Sequence, residues 1–247
     1  MINKLVIKGI IDKYYLGEIQ SVKWVVKDGN LEIPFMSPSK ELIGKITHSN
    51  FNIENCELAI FDTKKLSNLI SITHGDLLFN LEKTNSVYTK MHFEDEIYSL
   101  TYALADPLLI GKVGQVQEPE WDCSIDLTTD NLHHIVKAKN ALSGENNTNV
   151  MTTHVEEDIN GVLQFVLTFG DEHGHNNKVR YQLEGELSKN LEMIPYNSDI
   201  FRNILNVNKD MQQGKMLVSY KGLIKLEFKV DEVTSTYYLV RRESTNF

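Results

Sequence analysis

Runs of β-branched, aromatic and aliphatic residues dominate the chain, cut into short lengths by turn-forming residues. In the first half they cover residues 22–26, 31–36, 56–61, 77–81, 87–93 and 97–104. After residue 120 they return over 123–127, 150–155, 162–169, 179–183, 216–220, 223–230 and 237–241. Several alternate apolar with polar, the pattern of an antiparallel sheet with one solvated face. Between the first two of these runs, Lys27-Asp28-Gly29-Asn30 predicts a tight hairpin turn, because Asp-Gly supplies positive φ.

Four segments follow a helical period instead. Residues 4–15 place Leu5, Ile7, Ile11 and Tyr14 on one side, with Gly9 weakening the segment. A second helix follows Asp62-Thr63 with Leu66, Leu69 and Ile70; a third follows Thr128-Thr129-Asp130 with Leu132, Ile135, Val136 and Leu142. The fourth follows Asn197-Ser198-Asp199 with Ile200, Phe201, Ile204 and Leu205. Helices two to four open on side chains that accept from the first turn's unpaired N–H groups.

The order of elements repeats. Each half runs helix, several strands, capped helix, then a last set of strands. The second and fourth helices align at an offset of 135, taking Asp62 onto Asn197. Leu5 and Leu132 give 127, and Tyr98 and Tyr237 give 139. Such agreement predicts a duplicated α+β unit, each copy packing two helices on antiparallel sheets. The expected domains are 1–107 and 121–247, joined by a connector at 108–120 with Gly and Pro and no clear period.

Composition sets limits on this picture. The 247 residues are 41% apolar and 24% charged, enough for a packed core and against disorder. No stretch approaches the ~20 apolar residues of a membrane-spanning helix. The first fifteen residues lack the unbroken apolar core of a secretory leader, since Lys4, Lys8 and Asp12 interrupt them. Cys56 and Cys123 form no paired spacing, so reduced thiols in a cytoplasm are expected, and Asn146-Asn147-Thr148 matches a glycosylation acceptor in spelling alone.

The formal net charge is -9 and the pI about 5.4, which taken whole argues against a polyanionic partner. The charge is segregated, however. The four helical segments hold nine lysines or arginines against four aspartates, a net of +5, so the rest of the chain carries -14. Lys4 and Lys8 share a helix face, as do Lys64, Asn68 and Ser71; His133, Lys137 and Asn140; and Arg202, Asn206 and Lys209. The bland account is lysine for solubility. Recurrence on all four helices of an acidic chain instead predicts one basic surface for phosphates, through salt-sensitive, sequence-independent contacts. Lys13, Lys65 and Lys139 complete the candidate duplex-facing set.

Chemistry-bearing motifs are few. Gly170-Asp171-Glu172-His173-Gly174-His175-Asn176 has the residue types of a metal site, but a polar hairpin loop is the better reading. His133 and His134 diverge around a helix by ~100° and do not converge on an ion. No GxSxG, HExxH, P-loop or GxGxxG occurs, so no catalytic residue, metal or cofactor is expected.

Four stretches carry a family resemblance: Glu57-Leu58-Ala59-Ile60-Phe61-Asp62, Tyr102-Ala103-Leu104-Ala105-Asp106-Pro107, Leu167-Thr168-Phe169-Gly170-Asp171, and the tail from Tyr237 through Ser244-Thr245-Asn246-Phe247. In order and spacing, over essentially the whole chain, they resemble the sliding clamps (DNA polymerase processivity factors) of T-even-type bacteriophages. The resemblance implies a homotrimeric ring of six clamp-type domains with helices lining the hole. It implies double-stranded DNA, a clamp loader and the replicative DNA polymerase as partners, no membrane, a bacterial host cytoplasm, and a part in late transcription. Ring size agrees. Domains of ~115 residues measure roughly 34 Å across, so six leave a hole of about 34 Å and four only about 14 Å. B-DNA is roughly 20 Å wide.

For the partner-peptide pocket the candidates are Leu108, Leu109 and Ile110 in the connector, with Val240; anchoring of the connector to its own domain is the competing account. For the subunit seam they are Ser99 and Thr101 against Arg180 and Gln182, because such rings close by joining sheet edges. The rival functions are a phage structural or assembly protein built from duplicated β-rich domains, and a metal-dependent enzyme using His173 and His175.

Overall fold

The computed structural model describes residues 1–143, 149–170, 177–188 and 191–242. Residues 171–176 with His173 and His175, the Asn146-Asn147-Thr148 triplet and residues 243–247 fall outside these. The chain divides into two units. The first comprises Met1–Pro38, Gly44–Gly114 and Glu232–Ser235; the second Ser39–Ile43, Gln115–Asp231 and Thr236–Phe247. The chain passes from the first unit to the second after residue 114.

In the first half the elements are β1 (Ile2–Asn3), α1 (Lys4–Tyr15), β2 (Val22–Lys27), β3 (Asn30–Met36), β4 (Leu42–His48), β5 (Cys56–Ile60), α2 (Thr63–Ser71), β6 (Asp76–Thr84), β7 (Val87–Glu94) and β8 (Ser99–Ala103). One sheet runs β1-β6-β7-β8 and the other β4-β3-β2-β5. The β2–β3 turn is as expected, with φ of 52° at Asp28 and 75° at Gly29. The first unit also takes up the start of the chain's last strand. Ser49 N–H donates to the Glu232 carbonyl at 3.1 Å and Thr47 Oγ1 to the Thr234 carbonyl at 3.4 Å, an antiparallel progression.

The second half repeats the order: β9 (Cys123–Leu127), α3 (Thr129–Asn140), β10 (Val150–Glu157), β11 (Leu163–Phe169), β12 (Val179–Leu183), β13 (Glu186–Leu187), β14 (Ile194–Asn197), α4 (Ser198–Val207), β15 (Gln213–Ser219), β16 (Leu223–Val230) and β17 (Val233–Val240). Its sheets run β12-β11-β10-β14 and β13-β9-β15-β16-β17. The fold is therefore α+β and duplicated. Residues 39–43 complete the second unit, where Val240 N–H donates to the Glu41 carbonyl at 2.9 Å.

Burial corrects two of the sequence alignments. Ile7, Ile10, Ile11 and Tyr14 are the buried stripe of α1, matching Leu132, Ile135, Val136 and Lys139 of α3 at an offset of 125. Leu5 is exposed and does not correspond to Leu132. Tyr98 lies in the turn before β8, partly exposed, so the buried tyrosine there that answers Tyr237 is Tyr102. The offset of 135 between α2 and α4 stands, with Thr63, Leu66 and Ile70 buried like Ser198, Phe201 and Leu205.

Caps start each helix where the side chains allow. Asn3 Oδ1 accepts from Leu5 N–H, Asp62 Oδ1 from Lys65 N–H, and Asn197 Oδ1 from Asp199 and Ile200 N–H. Thr128 and Asn131 exchange two bonds as a capping box. The strands β4 and β14 go unmarked in the sequence: Gly44 breaks the alternation of one and Pro195 that of the other.

Candidate nucleic-acid interface and assembly edges

In the first unit α1 and α2 lie antiparallel, because Lys4, in the first turn of α1, reaches the far end of α2. Its Nζ donates to the Ser71 carbonyl at 2.9 Å and to the Thr73 carbonyl. A cation there complements the negative end of the α2 dipole and satisfies terminal carbonyls. Lys8 is paired with Asp12 at 2.6 Å, one turn along. Lys65 lies 3.2 Å from the capping Asp62, whose carboxyl the Lys65 N–H bond holds below the usual range. Lys64 is exposed and has no ion-pair partner among the described residues.

The second unit repeats the antiparallel pair, with Lys139 at the end of α3 meeting Asp199 at the start of α4 (3.3 Å). Asp199 also lies 3.5 Å from Arg202, whose guanidinium donates to Asn203 Oδ1. His133 and Lys137 stand on the exposed side of α3, and Lys209 just beyond α4 is exposed. Lys137 and Lys209 have no ion-pair partner among the described residues.

Lys13 and Lys139 do not belong to an exposed basic face. Each is 4% exposed. Both sit on the buried stripes of their helices, three or four residues from Ile10 and Ile135, so neither ammonium meets a ligand in solution. The remaining lysines and arginines sort into ones paired within the fold (Lys4, Lys8, Lys65 and Arg202, of which Lys65 is also exposed) and exposed ones without an ion-pair partner among the described residues (Lys64, Lys137, Lys209).

The proposed seam residues lie on two outermost strands, β8 and β12, of their respective four-stranded sheets. Ser99, Thr101, Arg180 and Gln182 are all exposed. A glutamate two strands inward, on β6 or β10, ties each set down. Glu82 accepts from Lys90 at 2.9 Å and contacts His92 at 3.2 Å, and the other His92 nitrogen meets Thr101 Oγ1 at 3.0 Å. Glu156 accepts from Arg180, from Gln182 Nε2 at 3.3 Å and contacts His154 Nε2 at 3.4 Å. Burial alone would raise the Glu156 carboxyl; the Arg180 bond and charge, with Gln182 and His154, outweigh it and lower it. These glutamates are cross-strand partners without a local sequence signal, since pairing depends on register.

In the connector, Pro107–Leu109 forms a 3₁₀ turn opened by Asp106, whose Oδ1 accepts from Leu108 N–H at 2.8 Å. Leu108 and Leu109 are exposed, but Ile110 is 6% exposed and anchors the segment, so it leaves the candidate docking set. Val240, in the second unit, is partly exposed. The far end of the connector is fastened in that unit by Glu118, which accepts from Tyr238 OH at 2.5 Å and Lys225 Nζ at 2.9 Å. Those bonds lower its carboxyl, Tyr238 contributing most.

Among the described residues no three His, Cys, Asp or Glu side chains gather as a metal site, and no helix is long and apolar enough to cross a membrane. His134 instead lies 6.1 Å from the Tyr181 ring.

No family model matches the sequence, and no curated protein sequence matches it. Solved structures do match. A proliferating cellular nuclear antigen from Entamoeba histolytica superposes with a TM-score of 0.76 over 98% of this chain and 96% of its own, at 13% identity. The A. fulgidus PCNA, solved with the C-terminal region of FEN-1 bound, gives 0.78 over 99% and 98%, at 11% identity. The chain has the PCNA-type clamp fold.

Proposed function

We propose that this protein is a DNA sliding clamp: three copies close head to tail into a ring that encircles duplex DNA and tethers the replicative DNA polymerase to it. A clamp loader opens and reseals the ring, the kinship is with the clamps of T-even-type phages, and late transcription is a further use. The chain acts as a scaffold and performs no reaction of its own.

The observation that carries this reading is the duplication itself. Each half builds one antiparallel helix pair with exposed cations (Lys64 in one, Lys137 and Lys209 in the other) in a chain of net charge -9. Weak phosphate contacts from such helices hold a duplex loosely enough to slide, and closure prevents escape. The edges support it as well. Within the first unit, residues 232–235 of β17 run antiparallel beside β4. The duplication equates β17 with β8 and β4 with β12, and both of these are outermost strands. Repeating the same junction between copies pairs β8 of one with β12 of the next, a heterologous contact that generates a ring. Leu108, Leu109 and Val240 are the apolar groups offered to a partner's peptide.

Light scattering tests the assembly. A molar mass of three times 28.3 kDa supports the ring. A mass of one or two chains contradicts it, because four domains leave no passage for a duplex.

A further inference from the structure

We infer that a second, apolar contact closes one end of each junction between copies: Ile97 at the tip of the β7–β8 turn packs against Ile159 and Val162 at the tip of the β10–β11 turn of the next copy. This rests on the ring reading above and adds to it. The occupant of both tips is another copy of this chain.

The two turns are built alike. Asp95 Oδ1 accepts from Ile97 and Tyr98 N–H at 2.8 and 2.6 Å, and Asp95 N–H donates to the Tyr98 carbonyl at 3.0 Å. Asp158 Oδ1 accepts from Asn160 and Val162 N–H, both at 2.8 Å, and Asp158 N–H donates to the Val162 carbonyl at 2.9 Å. Each turn is thus fixed by its aspartate and holds an isoleucine out into solvent. Ile97 is 70% exposed, Ile159 99% and Val162 53%. A rigid display of apolar side chains loses little entropy on docking.

Position selects the partner. Ile97 shortly precedes β8. Leu183, the last residue of β12, stands opposite Phe165, so the β10–β11 turn lies just past the end of β12. Antiparallel pairing of β8 with β12 brings the start of one to the end of the other, and with them the two tips. The first unit contains the template. There the turn before β17 and the β2–β3 turn flank residues 49–51, with Ser49 N–H on the Glu232 carbonyl at 3.1 Å and Phe51 N–H on the Gly29 carbonyl at 2.6 Å. Phe51, in this stretch, is buried against Trp24. After β12 the corresponding chain is Glu184-Gly185, exposed and without an apolar filler. The apolar groups stand on the tips instead.

Sedimentation equilibrium of the full chain tests this with I97E, I159E and the opposite-charge pair I97K/I159E. Each single change should weaken self-association about tenfold or more, the scale of one buried isoleucine, and the pair should recover most of it. Both side chains are exposed, so circular dichroism should report an unchanged fold. In a second measurement I97C/I159C should be linked between chains by a short bismaleimide. The native thiols do not compete: Cys56 and Cys123 are buried, and burial pushes the Cys56 thiol up to about 11. Wild type that self-associates while the charges change nothing and no crosslink forms overturns the contact and leaves the ring standing. Wild type that stays a single chain at every concentration overturns the ring reading, and this contact with it.

Discussion

Lys4 and Lys64 carry the same charge on neighbouring helices and have opposite duties. Lys4 closes the end of α2 through two carbonyls, so Lys4→Ala should cost about 0.5–1.5 kcal/mol of stability by urea unfolding. Lys64→Ala should stay within about 0.5 kcal/mol. On DNA the order reverses. Changing Lys64, Lys137 and Lys209 together to Ala should flatten the slope of log affinity against log salt by about one for each phosphate left without its cation. An unchanged slope would remove these residues from the duplex face. Glu41 shows a carboxylate in a structural role. It accepts from Arg242 Nε and Asn197 Nδ2, both at 2.7 Å, and although burial raises its carboxyl, those bonds lower it overall. A depressed folded pKa gives stability that is present above the unfolded value and lost as pH falls through the folded one. Glu41→Gln should therefore cost about 1–3 kcal/mol near neutral pH, with the difference from wild type shrinking in acid. Several of these roles are legible in the sequence and several are not. Lys139 lies seven residues after Leu132 and four after Ile135, so the helical period already puts it on the buried stripe; counting charge by segment hides that. Lys4 binding carbonyls some 67 residues away leaves no local trace.

Helices are easier to read than strands because each carries its own period and its own cap. Residues 4–15 and the starts of α2, α3 and α4 need only local sequence, whereas β4 and β14 are held by neighbours and contain Gly44 and Pro195. The duplication is legible from element order, but its register is not: Leu5 looks like the mate of Leu132 until burial assigns that place to Ile7. Packing of the stripes sets the cost of disturbing them. Phe201 is fully buried on α4, facing the core as Leu66 does on α2, and Phe201→Ala should destabilise the protein by about 3–5 kcal/mol in denaturant titration. The same change at exposed Phe61, just ahead of α2, should fall within about 0.5 kcal/mol. The candidate edges emerge at the level of strands, β8 and β12, while the glutamates that brace them come only with cross-strand register.

At the scale of the assembly encirclement makes one physical demand, that the molecule be linked to DNA by topology and not by strength of binding. Its helices present few exposed cations without an ion-pair partner among the described residues (Lys64, Lys137, Lys209) and its net charge is -9, so ordinary affinity for a duplex is expected to be slight. The variant carrying Ser99→Cys and Gln182→Cys allows a direct test. The protein is incubated with a nicked circular plasmid, the seam is closed by crosslinking, and the complex is washed in about 1 M salt, where the Debye length falls to about 3 Å. A closed ring should stay on the circle through that wash and leave once a single cut makes the DNA linear. Protein that washes off the circle, or that remains equally on circle and cut DNA, would contradict encirclement.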